Sequence, residues 1–389
     1  MLTIPFLLKK KTSREINFKE PLVFNSPACA GCSITMVGRV MTQIFGTRLY
    51  LTIPCGCSHV CLGPKPSAPY CTDDKGRGAP QIGSLFEDGA ETTFGMAVAL
   101  EDRRTDLANR VEHLVEVSDS DTSLAPVLNS WLIEYRAGSD CVDVSEKVVE
   151  LLSNHKSDPD LEYLIDNQNL FVKPSPWIMG GDGFAYDIGY GGLMHVLSMG
   201  RNINVLISDT EVYSNTGGQM SKATARSATA KFCSVGKKTR KKDLGLELVI
   251  QRDVYVASIA YAYNKNHAIK ALIEAEAYPG PSIVINYSPC ISAHGIKTGH
   301  SAITQAELAV KSGYWPLYRY NPELQGSSKG PLTIDSKKIS VPLEEFLGNE
   351  VRFSSLGPEV AETLIGELKS DVEYRNALLE NLARFYREI

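Results

Sequence analysis

The stretch that most constrains this chain is Gly180-Gly181-Asp182-Gly183-Phe184-Ala185-Tyr186-Asp187-Ile188-Gly189-Tyr190-Gly191-Gly192. It follows the apolar run Pro176-Trp177-Ile178-Met179, which reads as the end of a buried strand. It precedes Leu193, Met194, Val196 and Leu197 at helical spacing. Strand, glycine turn and helix together aim backbone N–H groups and a helix N-terminus at one point, where a phosphate can be held. Glycines let the backbone approach such a group with no Cβ in the way. Asp182 lies inside the turn, where a carboxylate can hold a divalent cation against phosphates. The spacing is neither a Walker nor a G-x-G-x-x-G pattern. A glycine run alone is equally compatible with a plain tight turn.

The next strand sharpens the reading. Asn204-Val205-Leu206-Ile207-Ser208-Asp209 is β-rich and leads into Thr210-Glu211-Val212-Tyr213-Ser214-Asn215-Thr216-Gly217-Gly218-Gln219. In a parallel sheet, ligands collect beyond the carboxyl ends of neighbouring strands. Asp182 closes one such strand and Thr210 to Asn215 close the next, so both can reach one cation. Asp182, Thr210 or Asn215, and the Val212 carbonyl are the hard oxygen ligands that a cation on a diphosphate needs.

The chain has 389 residues, 43% of them hydrophobic, and a formal charge of −5. That is ample for a packed α/β core and gives no reason to expect nucleic acid. No run of 18 apolar residues exists, so no transmembrane helix is expected. The N-terminal Met1 to Lys11 has too short an apolar part, with its charges on the wrong side, for a signal peptide; a cytoplasmic or organelle-matrix location follows by default. Six of the nine cysteines lie between Cys29 and Cys71. Without an export signal this favours metal binding over disulfides. Cys29-Ala30-Gly31-Cys32 is a C-x-x-C, followed by Cys55 and Cys57. Zinc and an iron–sulfur cluster both fit, whereas thioredoxin-like chemistry would leave Cys55 and Cys57 without a role.

The runs GDGFAYDIGYGG and DTEVYSNTGGQ resemble, almost residue for residue, the thiamine diphosphate site of the pyruvate:ferredoxin (flavodoxin) oxidoreductases. The resemblance spans roughly residues 17 to 389 and corresponds to the C-terminal third or so of that family's long polypeptide. It implies that Asp182, Thr210 and the Val212 carbonyl ligate magnesium. Gly181, Gly183 and the catalytic-site residue Asn215 then hold the diphosphate. It also implies a [4Fe–4S] cluster on Cys29, Cys32, Cys57 (25 residues after Cys32) and Cys290, with Cys57 beside the cofactor. The implied reaction is oxidative decarboxylation of pyruvate with coenzyme A and one-electron transfer to the cluster. Ferredoxin or flavodoxin is the final acceptor, through parts absent from this chain, in a homo- or hetero-oligomer. Cys55, Cys61 and Cys71 have no family counterpart and read as ordinary residues. The family's Gly-Glu after the C-x-x-C is Ser33-Ile34 here, and its tryptophan after the third cysteine is Cys61. These departures define the alternative, a non-catalytic or decayed thiamine and iron–sulfur binding module.

The expected fold is a doubly wound, mostly parallel α/β sheet. Residues 1–20 form a lead-in, 21–330 the cofactor domain, and 331–389 an extension packing on a partner subunit. The segment from Pro64 to Gly78 reads as a loop. Leu107, Val111, Leu114 and Val115 form one helical face, and Val144, Val148, Leu151 and Leu152 another. Ala228 to Val235 reads as a small-residue helix. Lys237-Lys238-Thr239-Arg240-Lys241-Lys242 reads as a solvated loop. His294 and His300 read as surface or satisfied core histidines.

Overall fold

In the computed structural model, residues 13–24, 27–63, 70–117, 123–153 and 161–388 are described. Most of the lead-in and the start of the Pro64 to Gly78 segment lie outside them. The strands are β1 (Leu49–Pro54), β2 (Gln81–Ser84), β3 (Ser175–Gly180), β4 (Asn204–Asp209), β5 (Tyr255–Ile259), β6 (Ser282–Tyr287), β7 (Tyr318–Tyr320) and β8 (Leu332–Ile334). They form one sheet in the order β2-β1-β3-β4-β6-β5-β7-β8. The pairs β1–β2, β3–β4, β4–β6 and β6–β5 are parallel, while β7 and β8 add an antiparallel edge. The expected mostly parallel α/β sheet is therefore what forms.

The sequence explains the centre of the sheet. Every residue of β3, β4, β5 and β6 is buried. Continuous runs such as Trp177-Ile178-Met179 and Val205-Leu206-Ile207 suit strands covered on both faces by helices. Register then does the positioning. Asp209 pairs with Tyr287, so the carboxyl ends of β4 and β6 finish level, and Gly180 pairs with Ile207, so β3 ends two residues before β4. Asp182, Thr210 and the loop carrying Cys290 emerge from adjacent strand ends.

The chain divides into two compact units. One comprises the chain up to Phe18 with Phe94–Ser175; the other comprises Lys19–Thr93 with Pro176–Ile389. In the first, the helix Gly89–Val117 from Phe94 onward, with the helices Leu124–Arg136 and Val142–Leu152, buries Leu107, Val111, Val144, Val148 and Leu152 around Trp131. Leu114, Val115 and Leu151 pack at its margin. In the second, the C-terminal helix Pro358–Glu388 is tied to the sheet layer. Arg226 Nε meets Asp371 at 2.7 Å, and the Tyr386 hydroxyl donates to the Val249 carbonyl at 3.0 Å.

Three local expectations are overturned. Ala228 to Val235 forms turns and isolated bridges instead of a helix. Ser227 and Phe232 sit at φ +64° and +69°, conformations a helix cannot contain, and Thr229 N–H is taken by the Arg352 carbonyl at 2.7 Å. The turn after β3 holds a helix of its own, Asp182–Tyr186, before the expected one at Tyr190–Ser198. The run from Lys237 to Lys242 is not simply solvated. Lys237 is buried with Nζ on the Thr224 carbonyl at 2.6 Å, and Lys241 reaches inward to Asp209 at 2.7 Å. Tertiary carbonyls and carboxylates replace water as partners for these ammonium groups.

Candidate cofactor site

β4 delivers Thr210, Glu211 and Val212. Glu211 is buried with φ +59°, a left-handed conformation that costs a non-glycine residue about 1–2 kcal/mol. The turn it makes brings the Thr210 hydroxyl 2.9 Å from the Val212 carbonyl, with Ser214 Oγ donating to Thr210 Oγ1 at 2.9 Å. Asp182, Thr210, Val212 and Asn215 line one cavity of about 210 Å³, together with Gly181, Gly183 and Cys57.

Asp182 is the unusual member. Its Oδ2 accepts from Ser221 Oγ at 2.7 Å, but its buried Oδ1 has no hydrogen-bond partner. Burial, and after it the neighbouring Asp209, push its carboxyl well above the usual range, against the pull of Lys241 and Ser221. The wider charge balance points the same way. Asp182, Asp209, Glu211 and Glu350 are all buried. The fixed cations set against them are Lys241, on Asp209 and Glu211, and Arg352, on Glu211 at 2.8 Å and Glu350 at 2.6 Å. Lys241 and Arg352 outweigh burial at Glu211 and hold its carboxyl at about 2. Lys237, buried nearby and within the field of Glu211, is a third cation, so the carboxylates outnumber the buried cations by one. A divalent ion on Asp182, the Thr210 hydroxyl and the Val212 carbonyl would offset the remaining negative charge with the oxygen donors such an ion prefers.

Several glycines of the run are required by close approach of neighbouring groups. A Cβ on Gly189 would fall 2.3 Å from the Phe86 carbonyl and 2.5 Å from that of Phe184. On Gly192 it would meet the Glu91 carboxylate at 2.3 Å, and on Gly183 the Phe86 ring at 3.0 Å. Gly189 and Gly192 serve close packing, while Gly183 both packs on the Phe86 ring and lines the cavity. Gly181 is different, since its Cβ would meet only the Ser208 carbonyl at 3.6 Å beside the cavity.

The four candidate sulfurs come from three parts of the chain, and Cys29, Cys32 and Cys290 lie near enough to Cys57 to affect its charge. Cys29 and Cys32 form a turn closed by Cys32 N–H on the Cys29 carbonyl at 3.1 Å. Gly31, at φ +78°, is required there, because a Cβ would lie 2.3 Å from the Gly299 carbonyl. Ser33 Oγ donates to Ser288 Oγ at 2.8 Å, fastening this turn to the loop after β6. In that loop Cys290 caps the helix Ile291–His294, its Sγ accepting from Ala293 N–H at 3.4 Å. Cys57 opens the helix Cys57–Leu62. Burial pushes the Cys57 thiol up to about 12, and Cys290, Cys32, Cys29 and Asp182 add to the rise. Deprotonated sulfurs so placed need positive charge among them. Among the described residues no three His, Cys, Asp or Glu side chains are grouped so that they could hold a metal ion.

Several participants carry no sequence signal. Cys61, read as ordinary, hydrogen-bonds the Cys32 thiol and lowers it to about 7 against the effect of burial. Cys55 lines the cavity beside Cys57. Lys241 lies within a run of surface-type charges, and Glu350 and Arg352 arrive from more than 100 residues downstream. His294 is fully buried, a core histidine with Nε2 donating to the Thr210 carbonyl at 2.8 Å and Nδ1 without a hydrogen-bond partner.

Fold and site together define a class: open α/β proteins that take a ligand beyond the carboxyl ends of adjacent parallel strands. Within it, the chain is homologous to one segment of the pyruvate-flavodoxin and pyruvate:ferredoxin oxidoreductases. It is 41% identical over 380 residues to the pyruvate-flavodoxin oxidoreductase of Klebsiella pneumoniae, an alignment covering 96% of this chain and 32% of that protein. With the pyruvate:ferredoxin oxidoreductase of Moorella thermoacetica it shares 43% over 385 residues, again 96% and 32%. With the mitochondrial pyruvate dehydrogenase [NADP(+)] of Euglena gracilis it shares 40% over 363 residues, 92% and 20%. The chain thus spans about a third or less of the length of these relatives. No protein-family model matches it. Among solved structures, a 2-oxoglutarate:ferredoxin oxidoreductase from Magnetococcus marinus, with 2-oxoglutarate, coenzyme A and succinyl-CoA bound, overlaps 73% of this chain and 70% of its own. The sequence identity is 14% and the TM-score 0.41.

Proposed function

We propose that this chain is the thiamine diphosphate- and [4Fe–4S]-binding part of a pyruvate:ferredoxin or pyruvate-flavodoxin oxidoreductase. In this reading it takes part in the oxidative decarboxylation of pyruvate to acetyl-CoA. Residues outside this chain complete the active centre and pass electrons to ferredoxin or flavodoxin. The observation that carries the reading is the orphaned Oδ1 of buried Asp182, in a cavity that also holds the Thr210–Val212 oxygen pair and Cys57. Asp182, Thr210 and Val212 would hold magnesium, and Gly181, Gly183 and Asn215 the diphosphate. Cys29, Cys32, Cys57 and Cys290 would hold the cluster. Thiamine diphosphate supplies the carbanion chemistry that decarboxylation of a 2-oxoacid needs, and an iron–sulfur cluster a one-electron acceptor. This chain's own residues bind and orient: Lys241 and Arg352 keep the acidic loop in place, and Ile34 and Phe86 line the cavity with apolar surface.

The test is anaerobic reconstitution with iron and sulfide, followed by titration with magnesium and thiamine diphosphate. Broad visible absorbance from a cluster and saturable magnesium-dependent diphosphate binding are expected. A colourless protein that binds only zinc would defeat the reading. Binding of both groups, without pyruvate oxidation when the remaining domains of a relative are supplied, would favour the non-catalytic module.

A further inference from the structure

Resting on that reading, we propose that His294 couples the two cofactor positions, so that a cluster held by Cys290 strengthens binding of magnesium thiamine diphosphate at the neighbouring strand end. The helix Ile291–His294 is the physical link. Cys290 caps its start, and the His294 N–H donates back to the Cys290 carbonyl at 2.9 Å. Its far end is fixed by Gly295 at φ +69°, where a Cβ would fall 2.4 Å from Val351 Cβ. From this seat His294 Nε2 donates 2.8 Å to the carbonyl of Thr210, whose hydroxyl stands with the Val212 carbonyl. Three residues separate the candidate sulfur ligand from the group that grips the candidate magnesium loop.

The same loop is held from its other side. His294 Nδ1 lies 3.4 Å from Glu350 Oε1, an ion-pair distance that is not an aligned hydrogen bond. Glu350 pairs with Arg352, and Arg352 with Glu211. Glu211 is the strained residue between Thr210 and Val212, and strain persists only where the surroundings over-determine it. A four-residue helix has no stability of its own, so its order depends on what anchors its two ends. Fixing Cys290 on a cluster orders the helix and places His294. The ordering cost is then already met when the diphosphate binds, which is positive coupling without a new contact. By linkage the effect is reciprocal.

The experiment measures the dissociation constant of thiamine diphosphate at saturating magnesium, by calorimetry, for the same chain in its cluster-free and anaerobically reconstituted forms. The reconstituted form should bind at least about five-fold more tightly. In His294→Leu the ratio should fall to about one with the cluster's visible spectrum retained. In His294→Gln, whose amide can still reach the Thr210 carbonyl, part of the ratio should return. Equal affinities in the two wild-type forms overturn the coupling and leave the functional reading standing. A ratio unchanged in both variants overturns the role of His294. Should His294→Leu not fold, the wild-type pair decides the coupling and His294→Gln the residue. Wild-type protein that binds no diphosphate, or builds no cluster, overturns the reading and the coupling with it.

Discussion

Asp182 keeps a carboxylate oxygen buried without a partner and faces Asp209, so it costs the fold stability that a bound cation would return. Asp182→Asn should therefore raise the apparent melting temperature without magnesium, read by differential scanning fluorimetry. The same variant should weaken magnesium-dependent diphosphate binding more than about 100-fold, since losing even a hydrogen bond behind a metal ligand costs about 10–100-fold. A lower melting temperature would show that the charge stabilises the fold. The sulfurs can be sorted residue by residue. Cys57→Ser and Cys290→Ser should each lower the iron bound per chain after reconstitution, while Cys61→Ala should leave it unchanged. Iron loss in Cys61→Ala would make Cys61 a ligand in place of one of the four.

At the scale of elements, buried charge decides which segments hold together. Lys241 is the inward pin of a loop that otherwise looks solvated, and Lys241→Met leaves Asp209 and Glu211 short of a cation. The expected cost is about 3–5 kcal/mol, measured by urea unfolding. The antiparallel edge has its own clamp. Arg319, in β7, reaches Asp335 at 2.8 Å and Glu274 at 2.5 Å. Burial would raise the Asp335 carboxyl, but His267 and Arg319 outweigh it and hold it at about 2. An unfolded aspartate titrates near about 3.9. The pairing therefore contributes in full above about pH 4 and is lost as pH falls towards about 2, a term of about 2 kcal/mol. Asp335→Asn should abolish that part of the acid limb in a stability–pH profile, and an unaltered limb would place the titration elsewhere.

For the whole molecule, every candidate cofactor residue falls in the unit made of Lys19–Thr93 and Pro176–Ile389. Each unit has a core of its own, so calorimetry should resolve two transitions. Magnesium thiamine diphosphate should raise only one, by about 2.7 kcal/mol at a hundred times its dissociation constant. A shift of both transitions would mean that the units unfold as one.

The sequence by itself determined the parallel core, because unbroken runs such as Val205-Leu206-Ile207 can only be buried on both faces, and it marked Asp182, Thr210 and the cysteine pattern, because ligand chemistry restricts residue type and spacing. It misjudged Ala228 to Val235 and the run from Lys237 to Lys242, where left-handed residues and distant acceptors override local propensity. Only the tertiary structure decided that Cys61 touches Cys32, that Lys241 turns inward, and that Arg352 and His294 brace the loop from Thr210 to Val212. Those contacts join residues tens to more than a hundred positions apart. Their strength comes from burial, which no local pattern encodes.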